Sequence, residues 1–228
     1  MKVPVLAINF KAYPSAFGSK AVEIAKAAER VARDTGVEVI VIPPYTELRQ
    51  IISAVEIPVF AQHGEPVGYG AHTGWIPIEA LKDIGVKGVL LNHSEHRIRI
   101  DEIVKAVDMA KKLGLETLVC ADTASTAAAV AAVEPVAIAV EPPELIGTGI
   151  AVSKAKPEVI TGTVEKVRKV NRDVIILTGA GISKAEDVEA AIKLGTAGVL
   201  VASAIMKAPE PEKVIRSMAE AAAHAWRR

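Results

Sequence analysis

The chain has 228 residues, 50% of them apolar and 24% charged, a length and composition that suit one large globular domain. Lys and Arg together number 27, as do Asp and Glu, which excludes the broad basic surface that nucleic acid or an anionic membrane would require. No apolar run approaches a membrane helix and Cys120 is the lone cysteine, so we expect no membrane span, no internal disulfide and a cytoplasmic location.

Eight short runs rich in Val, Ile, Leu and Ala recur along the chain, and longer stretches with helical periodicity lie between them. This alternation predicts parallel strands joined by crossover helices. The predicted strands are Val5 to Phe10, Glu38 to Ile42, Val59 to Ala61, Gly88 to Leu91, Glu116 to Cys120, Val136 to Val140, Val174 to Leu177 and Gly198 to Val201. The predicted helices include Ser19 to Asp34, Ile100 to Leu113, Pro157 to Val170 and Lys184 to Leu194.

The near-continuous apolarity of these strands indicates a sheet that is covered on both faces. Eight βα units of about 28 residues each predict an α/β fold with a single closed (β/α)8 barrel over residues 1–228. The alternative is a doubly wound open sheet. It is disfavoured because the first βα turn, FKAYPSAFGSK, lacks the glycine pattern of dinucleotide binding.

Polar residues interrupt the strands at their carboxyl ends, where barrel enzymes carry their chemistry. Strand 1 ends in Asn9 and Lys11, strand 4 in His93 and strand 6 in Glu141. Because side chains alternate along a strand, we expect Ala7, Asn9 and Lys11 to share the inner face, as do Ala137, Ala139 and Glu141. The same rule puts Val89 and Leu91 on one face with His93, so a cation, an imidazole and a carboxylate should converge.

Glu141 precedes Pro142 and Pro143, which cannot extend a strand ladder. A carboxylate at the rim of an apolar barrel loses hydration and becomes a better base, whereas an ordinary strand-end acid would stay solvated. The following segment, ELIGTG, carries Gly147 and Gly149 as candidate hinges of a lid over the site.

His93 is followed by Ser94 and Glu95, which predict the start of a helix at this point. A helix N-terminus would keep the imidazole neutral, so that it could donate a hydrogen bond to a carbonyl oxygen. The alternative is a histidine that caps the helix for structural reasons. Lys11 could equally be a surface lysine, but Asn9 on the same face predicts a donor-rich edge that stabilises negative charge.

The run TGAGIS, Thr178 to Ser183, follows strand 7, and its glycines predict either a tight turn or a phosphate-binding loop. Ala202 and Ser203, after strand 8, are small enough to complete such a cradle. Cys120 ends strand 5 with no histidine nearby in the sequence, so it is interpreted as a small buried residue rather than a nucleophile.

The segments INFK at 8–11, NHSEHR at 92–97, VEPPELIGTG at 140–149 and TGAGIS at 178–183 resemble those of the triosephosphate isomerase family, in order along the whole chain. The resemblance is closest to the short archaeal form. It implies a TIM barrel that interconverts dihydroxyacetone phosphate and D-glyceraldehyde 3-phosphate in glycolysis and gluconeogenesis. It implies no metal or organic cofactor, and no partner beyond triose phosphates and other copies of the chain.

In that family a glutamate base works with a neutral histidine, roles that the resemblance assigns to Glu141 and His93. It also implies that Lys11 stabilises charge, that Asn9 binds substrate, and that Ser94 and Glu95 support the site. The residues that would lie around the substrate phosphate are Ile146, Gly147, Gly179, Ala180, Gly181, Ala202 and Ser203. The chain departs from the family where Ala202 and Ser203 replace a glycine pair, and Ser183 matches the usual serine only if two residues are inserted.

Two other functions fit parts of the same pattern. A Schiff-base aldolase would use the loop after strand 7, but it usually carries a lysine on strand 6, where this chain has Glu141. A catalytically inactive barrel would bind phosphorylated sugars without the base. The scarcity of Gln and Asn predicts heat stability. The short chain and its resemblance to the archaeal form imply a homotetramer, with a dimer as the alternative, and the alanine-rich segment Thr126 to Val133 is a candidate contact.

Overall fold

The computed structural model of the chain describes residues 1–142 and 157–227. Eight parallel strands form one sheet, in the order β2-β1-β8-β7-β6-β5-β4-β3. The strands are β1 Val5–Asn9, β2 Glu38–Ile42, β3 Phe60–Ala61, β4 Gly88–Leu91, β5 Glu116–Ala121, β6 Ala137–Val140, β7 Ile175–Thr178 and β8 Gly198–Val201.

The sheet curls until its two edge strands meet. A parallel bridge joins Val41 of β2 to Val59 next to β3, and the Val41 N–H donates to the Pro58 carbonyl at 3.1 Å. Between β1 and β8 the register pairs Val5 with Gly198. Gly198 has φ of +150°, and a Cβ there would lie 2.0 Å from the Val5 carbonyl oxygen, so only glycine lets these strands approach. The structure is a nearly closed TIM barrel, and the open doubly wound sheet is set aside.

Nine α-helices of the described residues surround the strands. They are α1 Gly18–Thr35, α2 Leu48–Ile52, α3 Ile78–Ile84, α4 Ile100–Lys112, α5 Ala124–Ala131, α6 Pro157–Val170, α7 Ala185–Lys193, α8 Ser203–Met206 and α9 Pro211–Trp226. None of these helices is long and apolar enough to cross a membrane.

The predicted strands and named helices are all present, and no end differs from its prediction by more than one residue. The helix ends follow from left-handed glycines, because a residue without a Cβ adopts positive φ without strain. Gly36, Gly114 and Gly195 have φ of +73°, +70° and +101°.

Two apolar layers hold the barrel together. Side chains such as Ala7, Ala139 and Cys120 fill the interior, while a larger layer between strands and helices includes Ile8 and Phe10. The strand-end residues of β1 and β6 therefore point toward the barrel mouth, as alternation predicts.

The prediction for β4 was wrong in one respect. Val89 and Leu91 lie in the outer layer and Leu90 in the barrel interior, so strict alternation would send His93 outward. Asn92 has φ of +56°, and this left-handed residue redirects the chain. Its side chain fixes the turn, because Asn92 Nδ2 donates to the Cys120 carbonyl at 2.9 Å and Oδ1 accepts from the Ile98 N–H at 3.1 Å.

Candidate active site

A cavity of about 320 Å³ opens at the carboxyl ends of the strands. Its wall combines the strand-end residues of β1, β4 and β6 with the segments that follow β7 and β8. The lining residues are Asn9, Lys11, Tyr13, His93, Glu141, Gly179, Gly181, Ile182, Ser183, Leu200, Val201, Ala202, Ser203, Ala204 and Lys207. Elements distant in sequence therefore meet at one site.

Glu141 lies directly after β6 and is 2% exposed. Its N–H donates to the Ala121 carbonyl at 2.8 Å, which continues the sheet by one residue and fixes where the side chain begins. Its Oε1 lies 3.4 Å from His93 Nε2, while Oε2 is buried and accepts no hydrogen bond from the residues described. A buried carboxylate normally has its acceptors satisfied, so the unpartnered oxygen is an unusual feature of a residue that lines the cavity.

The carboxylate of Glu141 also changes the pKa of Cys120, which lies near the carboxyl end of β5 with its side chain in the barrel interior. Burial raises the pKa of the Cys120 thiol well above its usual range, and the negative charge of Glu141 raises it further. The thiol is fully buried. As predicted, Cys120 is a small buried side chain.

His93 has one ring nitrogen committed to the protein backbone. The Glu95 N–H donates to Nδ1 at 3.2 Å, so Nδ1 is an acceptor. The neutral imidazole then carries its proton on Nε2, the nitrogen that faces Glu141. This arrangement presents a neutral N–H donor beside a carboxylate base.

The predicted helix start after His93 was wrong. Residues 93–96 form a turn, in which the His96 N–H donates to the His93 carbonyl at 2.8 Å, and α4 begins only at Ile100. Ser94 does not cap a helix, and its hydroxyl is buried without a hydrogen-bond partner among the described residues. A single N–H of the turn, rather than a helix N-terminus, sets the tautomer of His93.

Lys11 enters the cavity from the segment after β1. Its ammonium forms an ion pair with Glu95 at 2.6 Å, and its side chain is 17% exposed. The backbone of Lys11 is left-handed, with φ of +48°, and its N–H donates to Asn9 Oδ1 at 2.9 Å. A non-glycine residue with positive φ persists only when its surroundings hold it there.

Gln62, directly after β3, supplies much of that constraint. Its amide nitrogen lies 3.0 Å from the Lys11 carbonyl, 3.2 Å from the Ile42 carbonyl and 3.4 Å from Asn9 Oδ1. The side chain therefore links the ends of β1, β2 and β3. Gln62 was not predicted as a site residue, although it is one of only two glutamines in the chain and its place at a strand end was a usable signal.

The segments after β7 and β8 form the other side of the cavity. Gly179, Gly181, Ala202 and Ser203 line it. Ala180 does not, because its buried side chain packs in a separate apolar cluster with Ile160 of α6. Sequence reasoning also missed Tyr13, Ile182, Ala204 and Lys207, whose types carry no distinctive signal.

Ser183 lines the cavity, but its donors are already used. Its N–H and its hydroxyl donate to Asp187 Oδ2 at 3.0 and 2.8 Å, and the Lys184 N–H donates to the same oxygen at 3.2 Å. Asp187 is 1% exposed and lies in the first turn of α7. This carboxylate fixes the path of the segment after β7.

Two residues assigned by resemblance, Ile146 and Gly147, lie outside the described residues, as do Pro143 and Gly149. Within residues 1–142 and 157–227, His, Cys, Asp and Glu side chains form no group of three that could hold a metal ion. The charged or titratable side chains among the cavity's lining residues are those of His93, Glu141, Lys11, Lys207 and Tyr13.

Comparisons with known proteins show which proteins this chain is similar to. The family model described as triosephosphate isomerase matches residues 4–218. A triosephosphate isomerase of Caldivirga maquilingensis is 54% identical over 220 residues, covering 96% of this chain and 98% of the relative. That of Methanocaldococcus jannaschii is 51% identical, covering 94% of this chain and 98% of the relative. The corresponding protein of Saccharolobus solfataricus is 47% identical, covering 99% of each chain.

Proposed function

The chain belongs to the triosephosphate isomerase family, and on that premise we propose that Glu141, His93 and Lys11 carry out its reaction. The enzyme is an isomerase that interconverts dihydroxyacetone phosphate and D-glyceraldehyde 3-phosphate. This membership sets aside the Schiff-base aldolase and the binding-only barrel. The roles of individual residues are the proposal developed below.

In the proposed cycle, Glu141 removes the proton from the hydroxymethyl carbon of dihydroxyacetone phosphate. The electron pair of that C–H bond moves into the new C–C double bond, and the carbonyl oxygen becomes an enediolate oxygen. His93 Nε2–H donates to this oxygen and the Lys11 ammonium offsets its charge. The hydroxyl proton on the first carbon then passes to this oxygen by way of His93 Nε2, which leaves the negative charge on the oxygen of the first carbon. Return of the carbon-bound proton from Glu141 to the second carbon re-forms a carbonyl at the first carbon and gives the aldose, so no atom or electron is gained or lost.

The pairing of Glu141 with His93 is the observation that carries this proposal. A buried carboxylate and an imidazole nitrogen, 3.4 Å apart, line one cavity. A general base requires hydrogen-bond reach of the proton that it removes. Two adjacent carbons of a triose can occupy the space in front of this pair.

The test is turnover of D-glyceraldehyde 3-phosphate, coupled to reduction of the dihydroxyacetone phosphate that forms. Glu141→Gln should lower kcat by about 10²- to 10⁴-fold, the range expected for loss of a general base. In deuterated water the wild-type enzyme should place deuterium on the product carbon, because the shared proton exchanges while it resides on Glu141.

Glu134→Gln is the matched control, since Glu134 is an exposed acid that pairs with Lys111 at 2.9 Å and precedes β6, at the opposite end of that strand from Glu141. It should keep wild-type turnover. Activity of Glu141→Gln within twofold of the wild type would overturn the assignment of the base.

We also propose that Asn9 and the cavity residues Gly179, Gly181, Ala202 and Ser203 bind the substrate, with the last four around its phosphate. Their small side chains leave backbone groups accessible to an anion. The proposal also includes Ile146 and Gly147, which the family resemblance places around the phosphate. Ser94 and Glu95 are proposed to support the site, Glu95 through its contacts with His93 and Lys11.

A homotetramer is our proposal for the assembled enzyme. The outer side of α5 exposes Ala129, and Ala132 follows it on the surface, while Tyr69 and Trp75 expose large apolar areas elsewhere. Exposed apolar patches of this kind commonly mark contact surfaces. Light scattering decides between four, two and one copies.

Three broader proposals follow from the same premise. Residues 1–228 are proposed to fold as one barrel domain, so that thermal unfolding shows one transition. We propose a cytoplasmic location, which cell fractionation tests, since the substrates are intermediates of central metabolism. Heat stability is proposed from the scarcity of amide side chains, and a melting temperature below that of ordinary mesophilic domains would contradict it.

A further inference from the structure

Two lysines of residues 1–142 and 157–227 line the catalytic cavity, and they differ in their partners. Lys11 forms an ion pair with Glu95 at 2.6 Å. Lys207 directly follows the short helix α8 and lines the cavity close in sequence to Ser203 and Ala204. Within the part of the chain that the structure describes, no carboxylate lies within ion-pair distance of the Lys207 ammonium.

Lys207 is exposed but is held at the cavity by its neighbours. Its ammonium lies over the ring of Tyr13, 5.3 Å from the ring centre, within the range of a cation–π contact. The backbone below it is also fixed, because the Lys207 N–H donates to the Ser203 carbonyl at 3.1 Å. Ser15 Oγ donates to the Met206 carbonyl at 2.6 Å, which ties the segment after β1 to the end of α8.

The charges around the cavity show why a second cation matters. Lys11 and Glu95 offset each other, and Glu141 adds a buried negative charge. Asp187 adds another carboxylate beneath Ser183. A phosphate ester carries close to two negative charges at neutral pH. Without Lys207, the side chains named here would leave an excess of negative charge toward a dianionic substrate, counted over the described residues.

We propose that Lys207 is the cation that receives the substrate phosphate group, and that Tyr13 is a positioning residue for its ammonium. The inference rests on the proposed function of the cavity. An ammonium at the rim attracts a dianion over several ångströms and then donates charge-assisted hydrogen bonds to its oxygens. The phosphate would lie between Lys207 and the small residues after β7 and β8, with the carbonyl end near His93.

The test compares two substrates that differ only in the phosphate group. Lys207→Gln should lower kcat/KM for D-glyceraldehyde 3-phosphate by about tenfold, in the range for loss of a charged hydrogen bond. It should leave kcat/KM for unphosphorylated D-glyceraldehyde unchanged. The dependence of kcat/KM on ionic strength should also become shallower, since salt screens the attraction that the variant lacks.

Three further variants sharpen the experiment. Lys207→Arg keeps the charge and should restore most of the activity toward the phosphorylated substrate. Tyr13→Leu should give an intermediate loss, because it frees the ammonium without removing it. Lys213→Gln removes an exposed lysine that pairs with Glu210 at 2.6 Å outside the cavity, and it should match the wild type on both substrates.

Equal losses on both substrates, or no loss in Lys207→Gln relative to Lys213→Gln, would overturn the role of Lys207. Melting temperatures of all variants establish that they are folded. If only this inference is wrong, the wild-type enzyme still turns over triose phosphate. If the proposed function is wrong, the wild-type protein shows no such turnover. The two outcomes are therefore distinguishable.

Discussion

At the mouth of the barrel, the side chain of Glu141 fills the space that a side chain at Gly179 would need. A Cβ placed on Gly179 would lie 2.6 Å from Cγ of Glu141 and 3.2 Å from its Oε1. The Gly179 N–H also donates to the Val140 carbonyl at 2.8 Å, so the backbones of β6 and β7 are held together here. The absence of a side chain at position 179 is therefore what admits the carboxylate to its buried site.

Gly179→Ala should displace the Glu141 carboxylate and lower kcat by about 10²-fold, because a shift of about 1 Å at a reacting group has a cost of this size. The paired backbone cannot yield easily, so the side chain of Glu141 must move. The free energy of unfolding should fall by about 1 to 3 kcal/mol, as for other overpacked positions. Steady-state kinetics and urea unfolding measure the two effects.

Gly162→Ala is the matched control for the same substitution. Gly162 lies within α6, and a Cβ there would meet nothing within 4 Å. Alanine should therefore stabilise the helix by about 0.5 to 1 kcal/mol and leave kcat unchanged. If Gly179→Ala also retained full activity, the steric account of Glu141 would be wrong.

Gln62→Leu should weaken catalysis through Lys11, because it removes the donor that holds the left-handed backbone of that lysine. We expect kcat/KM to fall by about tenfold, a typical effect of losing a support of a catalytic group, with the fold preserved. Gln50→Leu replaces the other glutamine of the chain, on the exposed side of α2, and should leave kinetics unchanged. Equal kinetics of the two variants would contradict the role of Gln62.

The strands and the chemistry of the site could be predicted from sequence because both depend on local patterns. Continuous apolar runs predict the strands, and the polar residues at the ends of those runs identify Lys11, His93 and Glu141 as site candidates. The path from β4 to His93 could not be predicted, because alternation assumes an extended backbone and Asn92 is left-handed. Asparagine tolerates this conformation, but its identity alone does not show that it adopts it.

The error at Ser94 has a related cause. Serine is favoured both at helix N-caps and in turns, so Ser94 with Glu95 matches either structure. Tertiary contacts favour the turn over the helix, because the side chain of Asn92 forms hydrogen bonds with the backbone of β5 and of Ile98. The bonds of Gln62 and Asp187 also depend on which loops meet in space, which a single sequence does not contain.

Cys120 should resist thiol reagents in the native enzyme, even at pH 9. An ordinary thiol, with a pKa of 9.0, is about half ionised at that pH, but burial and the Glu141 carboxylate raise the pKa of Cys120, and only the thiolate reacts. In denaturant the thiol should react at once with Ellman's reagent. Rapid labelling of the native protein at pH 9 would show that the interior of β5 is accessible.

The raised pKa of Cys120 also makes the free energy of unfolding fall at alkaline pH. The folded state holds the Cys120 proton more tightly than the unfolded chain, so the stabilisation is complete below the ordinary thiol pKa of 9.0 and is lost as the pH rises above it. Cys120→Ala should lose less stability than the wild type between pH 8 and pH 10. Urea unfolding at both values measures the difference, and identical losses would contradict it.

His63 should make the enzyme sensitive to mild acid. Burial lowers the pKa of His63 from 6.5, the stacked ring of His96 lowers it further, and the carboxylates of Glu65 and Glu102 oppose the shift. Below pH 6.5 the unfolded chain takes up this proton before the folded state does. Stability is therefore full above that pH and is lost as the pH falls through the folded pKa.

Two variants should change this dependence in opposite directions. His63→Gln removes the group and should reduce the loss of unfolding free energy between pH 7.5 and pH 5. Glu65→Gln removes a carboxylate 3.6 Å from His63 Nε2, so protonation of the folded state becomes harder and the loss should increase. Urea unfolding at the two pH values measures both, and a shift of the same sign in both variants would show that another group controls the acid sensitivity.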